Sequence, residues 1–396
     1  MNEPKLRFKA DDGSEFPEWE EKTLGDIGTA KMCKRVLKEQ TSEKGDVPFY
    51  KIGTFGGTPD AFISRELYEE LKTKYSFPRK GNILLSAAGT IGRTVVYDGQ
   101  DAFFQDSNIV WLDNDDSVLD GFLLQFYNKT SWDNLEGGTI KRLYNGLFLS
   151  KVIHVPSLPE QQKIAEFLST IDTVIEKQKE TVSAWEERKK GVMQKLFSQE
   201  IRFRADDGSE FPEWEEKKIG DLFYKVNERN NGQFGKDKWI SVAKMYYQDE
   251  DKVTSNNIDT RTYVMRVGDM SFEGHPNKEF KYGRFVVNDI GDGIISELFP
   301  IYRHKENYIL KYWKYAIQVD SIMQKVYRKS ITSSGSSSNK LDDDDFKRQS
   351  ILVPCLAEQQ KIADCLSSLD EVIEKQKATL AAWEELKKGL LQQMFV

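Results

Sequence analysis

Two stretches of the chain carry apolar residues at alternating steps of four and three. Ile164, Leu168, Ile171, Ile175, Gln178, Val182, Trp185, Lys189, Val192 and Leu196 form one series. Ile362, Leu366, Leu369, Ile373, Gln376, Leu380, Trp383, Lys387, Leu390 and Met394 form the other. This spacing draws one stripe along a helix and is the a/d seam of a coiled coil. It predicts long helices over about 158–198 and 356–395. At 1.5 Å per residue, about 39 residues extend roughly 58 Å, more than a small domain needs. Pro159 suits a first helical turn, and Glu160 suits its positive end. Gln and Lys interrupt both seams at equivalent places; polar seam residues lower stability but fix register.

Between the helices the period changes. NILLSAAGTIGRTVVYDGQDAFFQDSNIVWL (82–112) has short apolar runs cut by glycine, which predicts strands and turns. DMSFEGHPNKEFKYGRFVVNDIGDGIISELFPIYR (269–303) is its loose counterpart. Gly81-Asn82-Ile83 aligns with Gly268-Asp269-Met270, and Arg93-Thr94-Val95-Val96 with Arg284-Phe285-Val286-Val287. Both inserts read as α/β and as one fold with different surfaces. ITSSGSSSNKLDDDD (331–345) is low in complexity and reads as a loop, either a plain one or one that orders on a nucleic-acid backbone. Its counterpart runs from Glu136 to Tyr144, with Gly137 opposite Gly335 and Phe148 opposite Phe346.

The flanking segments repeat almost word for word. LRFKADDGSEFPEWEEK (6–22) returns as IRFRADDGSEFPEWEEK (201–217), so that Phe8, Pro17 and Trp19 match Phe203, Pro212 and Trp214. LPEQQKIAEFLSTIDTVIEKQKETVSAWEERKKG (158–191) returns as LAEQQKIADCLSSLDEVIEKQKATLAAWEELKKG (356–389), matching Trp185 to Trp383. A period near 196 residues is too long for a solenoid unit and indicates tandem duplication of a whole domain plus helix. The chain divides into a first domain with its N-terminal arm (1–155), a central helix (156–199), a second domain with its arm (200–354) and a C-terminal helix (355–396). A fixed frame carrying two variable inserts suits a protein that presents two different reading heads.

A length of 396 residues allows two or three domains with real cores. No apolar run reaches the 18 or so residues that a membrane span needs, and MNEPKLRFKADDG lacks the apolar core of a signal peptide. Cys33, Cys355 and Cys365 have no paired spacing, as expected of incidental thiols in a reducing, cytoplasmic setting. Three scattered histidines argue against a His/Cys zinc site. The net charge of −7 at first argues against nucleic acid. Its distribution softens that objection: residues 29–150 hold 15 basic and 16 acidic side chains, and residues 224–350 hold 21 and 18. The repeated frame carries the acid, and local charge governs phosphate binding.

Catalytic patterns are missing. The lone Gly-Lys, Gly235-Lys236, is followed by Asp237 and makes no P-loop. AAGTIGR (87–93) is not GxGxxG and falls where a β-turn is expected; HExxH, GxSxG and an Asn-Pro-Pro-aromatic run do not occur. The carboxylate-rich run Glu213-Trp214-Glu215-Glu216-Lys217 could mimic a metal-nuclease triplet, but it recurs in both arms, as a structural repeat would.

Three sets of motifs together resemble the specificity (S) subunit of type I restriction-modification systems. They are FPEWEEKTLGDI (16–27) with FPEWEEKKIGDL (211–222), the strand-turn GNILLSAAGTIGRTVVY (81–97), and VPSLPEQQKIAEFLSTIDTVIEKQK (155–179) with VPCLAEQQKIADCLSSLDEVIEKQK (353–377). The resemblance covers residues 6–396, with two departures: Ala357 replaces Pro159, and GDMSFEGHPNKEFKYGRFVV (268–287) is a weaker version of the strand-turn. It implies two α/β target-recognition domains in tandem, separated by two long antiparallel coiled-coil helices whose length sets the spacer of a bipartite, asymmetric double-stranded DNA target. It also implies two methyltransferase subunits docked on the helices and restriction subunits in the full complex. S-adenosylmethionine, ATP and Mg²⁺ would act on those partners, and no catalysis or metal would belong to this chain. A stand-alone DNA endonuclease and a protein-only coiled-coil adaptor are the alternatives.

Under that reading each head combines phosphate anchors with base-edge donors: Arg or Lys for guanine, Asn or Gln for adenine. The first head offers Lys51, Arg79, Lys80, Arg93, Gln105, Lys141, Arg142, Tyr144 and Asn145. The second offers Lys244, Arg266, His275, Asn277, Lys278, Lys281, Arg284, Arg328, Lys329 and Ser333. The expected helix–helix seam is Leu168, Ile171, Ile175, Gln178, Trp185, Leu366, Leu369, Ile373, Gln376 and Trp383.

Overall fold

A computed structural model describes residues 4–132, 142–277, 280–332 and 338–395, the side chains of 320–321 aside. The two seams form helices Leu158–Phe197 and Leu356–Met394. The chain makes two compact units, Met1–Glu180 with Ala378–Val396, and Thr181–Lys377. Each unit thus takes the first part of one long helix and the last part of the other.

In the first unit a four-stranded antiparallel sheet runs in the order Gly28–Lys31, Ile109–Asn114, Ile83–Ser86, Thr94–Val96. Strand alternation sorts its side chains. Ile83, Leu85, Val110 and Leu112 enter a core with Ile164, Leu168, Ile171 and Ile175 of the long helix. Leu84, Ile109 and Trp111 face the other way, into a second core with Val47, Phe49, Phe103 and Tyr68. An outer layer supplies that second core: helix Arg65–Lys74 and strand Val47–Tyr50, antiparallel to Phe62–Ile63 and parallel to Phe103–Phe104. Burial on both faces explains the nearly continuous apolar run of the central strand.

The second unit repeats the inner sheet. Phe223–Val226, Ile301–His304, Met270–Glu273 and Arg284–Val287 are ordered in the same way. Met270, Phe272, Phe285 and Tyr302 pack towards Ile362 and Leu366. Val286 and Ile301 pack outwards with Ile240, Met265 and Ile295. The outer layers differ: here Thr262–Met265 pairs with Gly293–Ser296, and Ile240–Ser241 with Tyr246–Tyr247. The aligned strands predicted from 81–97 and 268–287 therefore coincide, including the strand-turn whose sequence is weaker.

The frame repeats down to single bonds. Glu20–Thr23 pairs with Val152–Val155, and Glu215–Lys218 with Ser350–Val353, so the last strand of each insert belongs to the frame. Arg7 donates to Glu160 through Nε (3.1 Å) and Nη2 (2.8 Å), and Trp19 Nε1 donates to the same carboxylate at 3.1 Å. Arg202 and Trp214 do the same to Glu358, at 3.1, 2.9 and 3.0 Å. Both glutamates are buried in the first turn of a long helix, where the helix dipole also favours a carboxylate. Ala357 does not disturb its helix start: Gln359 Nε2 donates to Pro354 O at 2.9 Å, as Gln161 Nε2 does to Pro156 O.

Seam residues are the less exposed positions along both helices. In the first unit the seam residues Ile171, Ile175 and Met394 share the core, with Leu380, Trp383 and Leu390 packed against it; Leu391, beside the seam, is buried there as well. In the second, Leu196 and Leu366 do so, with Leu369 alongside. Gln178, Trp185 and Gln376 are half-buried and Ile373 is buried. The seam lysines meet aspartates that the sequence pattern did not single out: Lys189 Nζ lies 2.6 Å from Asp370 in the second unit, and Lys387 pairs with Asp172 in the first.

Candidate nucleic-acid interface

Each central strand runs from the frame towards a cluster of loops. In the first head, Ile83–Ser86 ends in the turn 87–93, which returns as Thr94–Val96. Ser86 Oγ accepts the Arg93 N–H at 2.8 Å and donates to Thr90 O at 2.6 Å, closing the turn. Gly92 has φ +87°, and a Cβ there would meet the Trp132 ring at 2.3 Å. Three other segments join this end. Arg93 Nη1 donates to Phe55 O at 2.8 Å, the Ile52 N–H donates to Gln105 Oε1 at 2.9 Å, and Arg142 Nη2 donates to Ser107 O at 2.6 Å. Ser107 adopts φ +53° in presenting that carbonyl, a conformation uncommon outside glycine.

The structure thus brings Lys51, Arg93, Gln105 and Arg142 to one end of the sheet. Tyr144, 58% exposed, and Asn145 follow at the start of helix Asn145–Leu149. Arg93 and Arg142 are held by carbonyl oxygens, which orient a guanidinium without neutralising its charge; Lys51 is paired with Asp60 at 2.8 Å. Arg79 and Lys80 lie at the other end of the central strand, roughly 13 Å away by strand rise. Arg79 makes a 2.8 Å ion pair with Asp120, which fits a structural tie.

The second head has the same division. Arg266, at the frame end, is tied to Glu228, Asp292 and Gln233 Oε1. The Arg266 bond, with Arg303 beside it, holds the Glu228 carboxyl below its ordinary range. At the other end stand His275, Asn277, Lys281 and Arg284. Asn339 N–H donates to Gly274 O at 2.8 Å, and a Cβ on Gly274 would lie 2.2 Å from Asn339 O, so glycine allows this approach. Arg284 stacks on Phe280 at 4.7 Å and donates to Ala243 O, bringing in the loop of Lys244. Arg328 and Lys329 are exposed in the last turn of helix Asp320–Ser330, just before strand Ile331–Thr332, which pairs with Lys340–Leu341. Lys141, Lys278 and Ser333 lie outside the described residues.

A cleft of about 410 Å³ opens at this end of the second head, lined by Lys225, Tyr263, His275, Leu298 and Lys340 among others. Lys225 and Lys340 were not among the sequence candidates. Lys340 stood in the low-complexity segment and was readable from its place there; Lys225, on a frame-adjacent strand, gave no such signal. Among the described residues no group of three His, Cys, Asp or Glu side chains is arranged to hold a metal ion, and no helix is long and apolar enough to cross a membrane. The Cys33 thiol is pushed up to about 12 by burial.

The type I restriction modification DNA specificity domain family matches residues 17–183 and 212–382. A putative type I restriction enzyme specificity subunit of Haemophilus influenzae is 56% identical over 152 residues, 38% of this chain and 40% of that protein. A putative type I restriction enzyme specificity subunit of Methanocaldococcus jannaschii is 26% identical over 238 residues, 55% of this chain and 56% of that protein. The matches therefore span about half the length of these relatives or less. Among solved structures, the S subunit of a type I restriction-modification system from M. genitalium aligns over 100% of this chain and 99% of its own, with TM-score 0.57 and 16% identity. A chain solved in work on complex assembly and conformational transition of the type I R-M system covers 96% and 97%, with TM-score 0.52 and 14% identity. At these identities the likeness concerns the fold.

Proposed function

Since the chain belongs to the type I restriction-modification DNA specificity family, with two copies of its domain, we propose that it selects a bipartite double-stranded DNA sequence for partner subunits that act on it. One observation carries this reading: a frame with the same Arg–Glu–Trp bonds in both copies holds two heads with the same inner sheet and different loop clusters at its far end. Equal frames accept equal partners, while unequal loops read unequal half-sites. Arg93 and Arg142 in the first head, and Lys225, His275, Lys281, Arg284 and Lys340 in the second, are the proposed contacts. Arg79 and Arg266 are assigned to the scaffold.

The frame also repeats its exposed apolar residues: Leu6 and Ile201 are 41% and 42% exposed, Leu158 and Leu356 45% and 44%. This recurrence supports docking of two copies of one partner, which we assign as modification subunits that use S-adenosylmethionine. Restriction subunits with ATP and Mg²⁺ complete the proposed assembly in the cytoplasm. Helix length is the proposed ruler for the gap between half-sites; adding one heptad to both helices at matched points keeps the seam in phase and should lengthen that gap. An unchanged gap would remove the ruler from the proposal.

The test is a genome-wide map of modified adenines in the source cell with and without the gene. Loss of methylation at one gapped, two-part motif is expected. Methylation that persists unchanged, together with purified chain that cuts DNA alone in Mg²⁺, would replace this reading with a stand-alone nuclease.

A further inference from the structure

Glu273 occupies the place in the second head that Ser86 occupies in the first, the last residue of the central strand. Ser86 uses its hydroxyl to close the following turn on itself. Glu273 is also enclosed, with its side chain 8% exposed, yet it carries a carboxylate. Its Oε1 accepts the His275 backbone N–H at 3.0 Å and meets the ring Nδ1 at 2.5 Å. Among the described residues no Lys or Arg forms an ion pair with it. The His275 side chain is 59% exposed and lines the cleft that Lys225 and Lys340 flank.

Enclosing a carboxylate is costly unless its hydrogen bonds are met. A hydroxyl fills the same position in the sister domain, so strand termination does not require the charge. What the carboxylate adds is an acceptor at Nδ1, which fixes both the tautomer and the orientation of the imidazole. In the neutral ring, with the proton held on Nδ1, Nε2 is a hydrogen-bond acceptor. A ring already ordered in this way loses little freedom on binding.

The geometry points to His275 as a base-reading residue of the second head and to Glu273 as the residue that positions it, with Nε2 accepting from an exocyclic amino group, adenine N6 or cytosine N4, in the major groove. The inference rests on the DNA-reading function proposed above and names the contact within it. Lys225 and Lys340, which line the same cleft, take the adjacent phosphates.

The experiment replaces the chromosomal gene with His275→Ala or Glu273→Gln and maps methylated adenines. In both variants one position in one half of the motif should relax, with preference for the correct base falling about tenfold, while the other half keeps its sequence. Uniform loss of methylation over an unchanged motif would make His275 a phosphate contact, and a motif unchanged in sequence and extent would exclude it from reading; either overturns the inference and leaves the DNA-reading function standing. A methylation map indifferent to deletion of the gene would remove both. A second measurement covers a variant too unstable to methylate. The chain has three histidines, so the imidazole nitrogens of the purified, ¹⁵N-histidine-labelled protein are separable, and His275→Ala identifies its own pair. Glu273→Gln should move the His275 Nδ1 and Nε2 signals away from the Nδ1–H pattern and leave those of His154 and His304 in place. Unmoved His275 signals would overturn the positioning role.

Discussion

Glu160 and Glu358 each hold a buried negative charge against one arginine and one tryptophan from an arm about 150 residues away in sequence. Removing one partner of such a pair strands the other. Glu160→Ala should therefore cost about 2–3 kcal/mol, read as a lower urea midpoint at constant slope. Because Arg7 serves the same carboxylate, Arg7→Ala added to Glu160→Ala should cost much less than it does alone; strict additivity would mean that the bonds are incidental. His304 behaves in the opposite sense. It is stacked on Tyr308 at 3.9 Å and packed on Phe223 and Trp313, and burial lowers its pKa from 6.5 to about 3. The unfolded chain takes up this proton first as pH falls, so stability should decline from about pH 6.5 towards 3, by on the order of 2 kcal/mol at pH 5. His304→Gln should flatten the dependence of unfolding free energy on pH between 5 and 6.5; an unchanged slope would assign the acid loss elsewhere. The sequence placed Glu160 at a helix start and matched Trp19 to Trp214. It did not place Arg7 beside them, because local period reports which face is buried and not what meets it.

The long helices were readable from their seams because a sustained 4,3 spacing keeps one face apolar only on a helix; on a strand it would scatter the same residues over both faces. Their lysines looked like interruptions. In the structure Lys189 meets Asp370, which also accepts the Tyr315 hydroxyl at 2.6 Å, and Lys387 meets Asp172, which accepts from Gln125 at 3.0 Å. Each pair sits partly exposed at the seam edge, so screening limits its strength. A double-mutant cycle on Lys189→Ala and Asp370→Ala should give a coupling of about 1 kcal/mol, falling in high salt; a value near zero would leave register to the apolar seam residues alone. The inner sheets were half readable. Short apolar runs in 82–112 and 269–303 marked the strands, and the glycines between them marked the turns. The outer layers were not: the parallel pairing of Val47–Tyr50 with Phe103–Phe104 joins segments that share no local signal. The same limit applies to the candidate contacts. Arg79 and Arg93 are alike as residue types and differ only in which end of one strand they occupy.

At the scale of the molecule, the boundary between frame and insert decides what an exchange of heads would do. Val152–Val155 pairs along its length with Glu20–Thr23, and Leu24 N–H donates to Lys151 O at 2.9 Å, so that ladder belongs to the frame. Leu143 N–H donates to Ala87 O, and Arg142 forms a bridge with Ala88, so the segment just before it belongs to the head. A graft should therefore run from residue 29 to residue 151 and leave both frame strands in place. Each unit buries its own core, and the first head meets the frame through Leu24, Ile27, Ile153 and the helix residues Ile164 and Leu168. A foreign head that supplies the inner-sheet residues facing that core should fold without changes in the second unit. Under the proposed function the methylated motif should then change in one half and keep the other, base for base. Change in both halves would mean that the heads do not read independently, and that the shared frame transmits the identity of one head to the other.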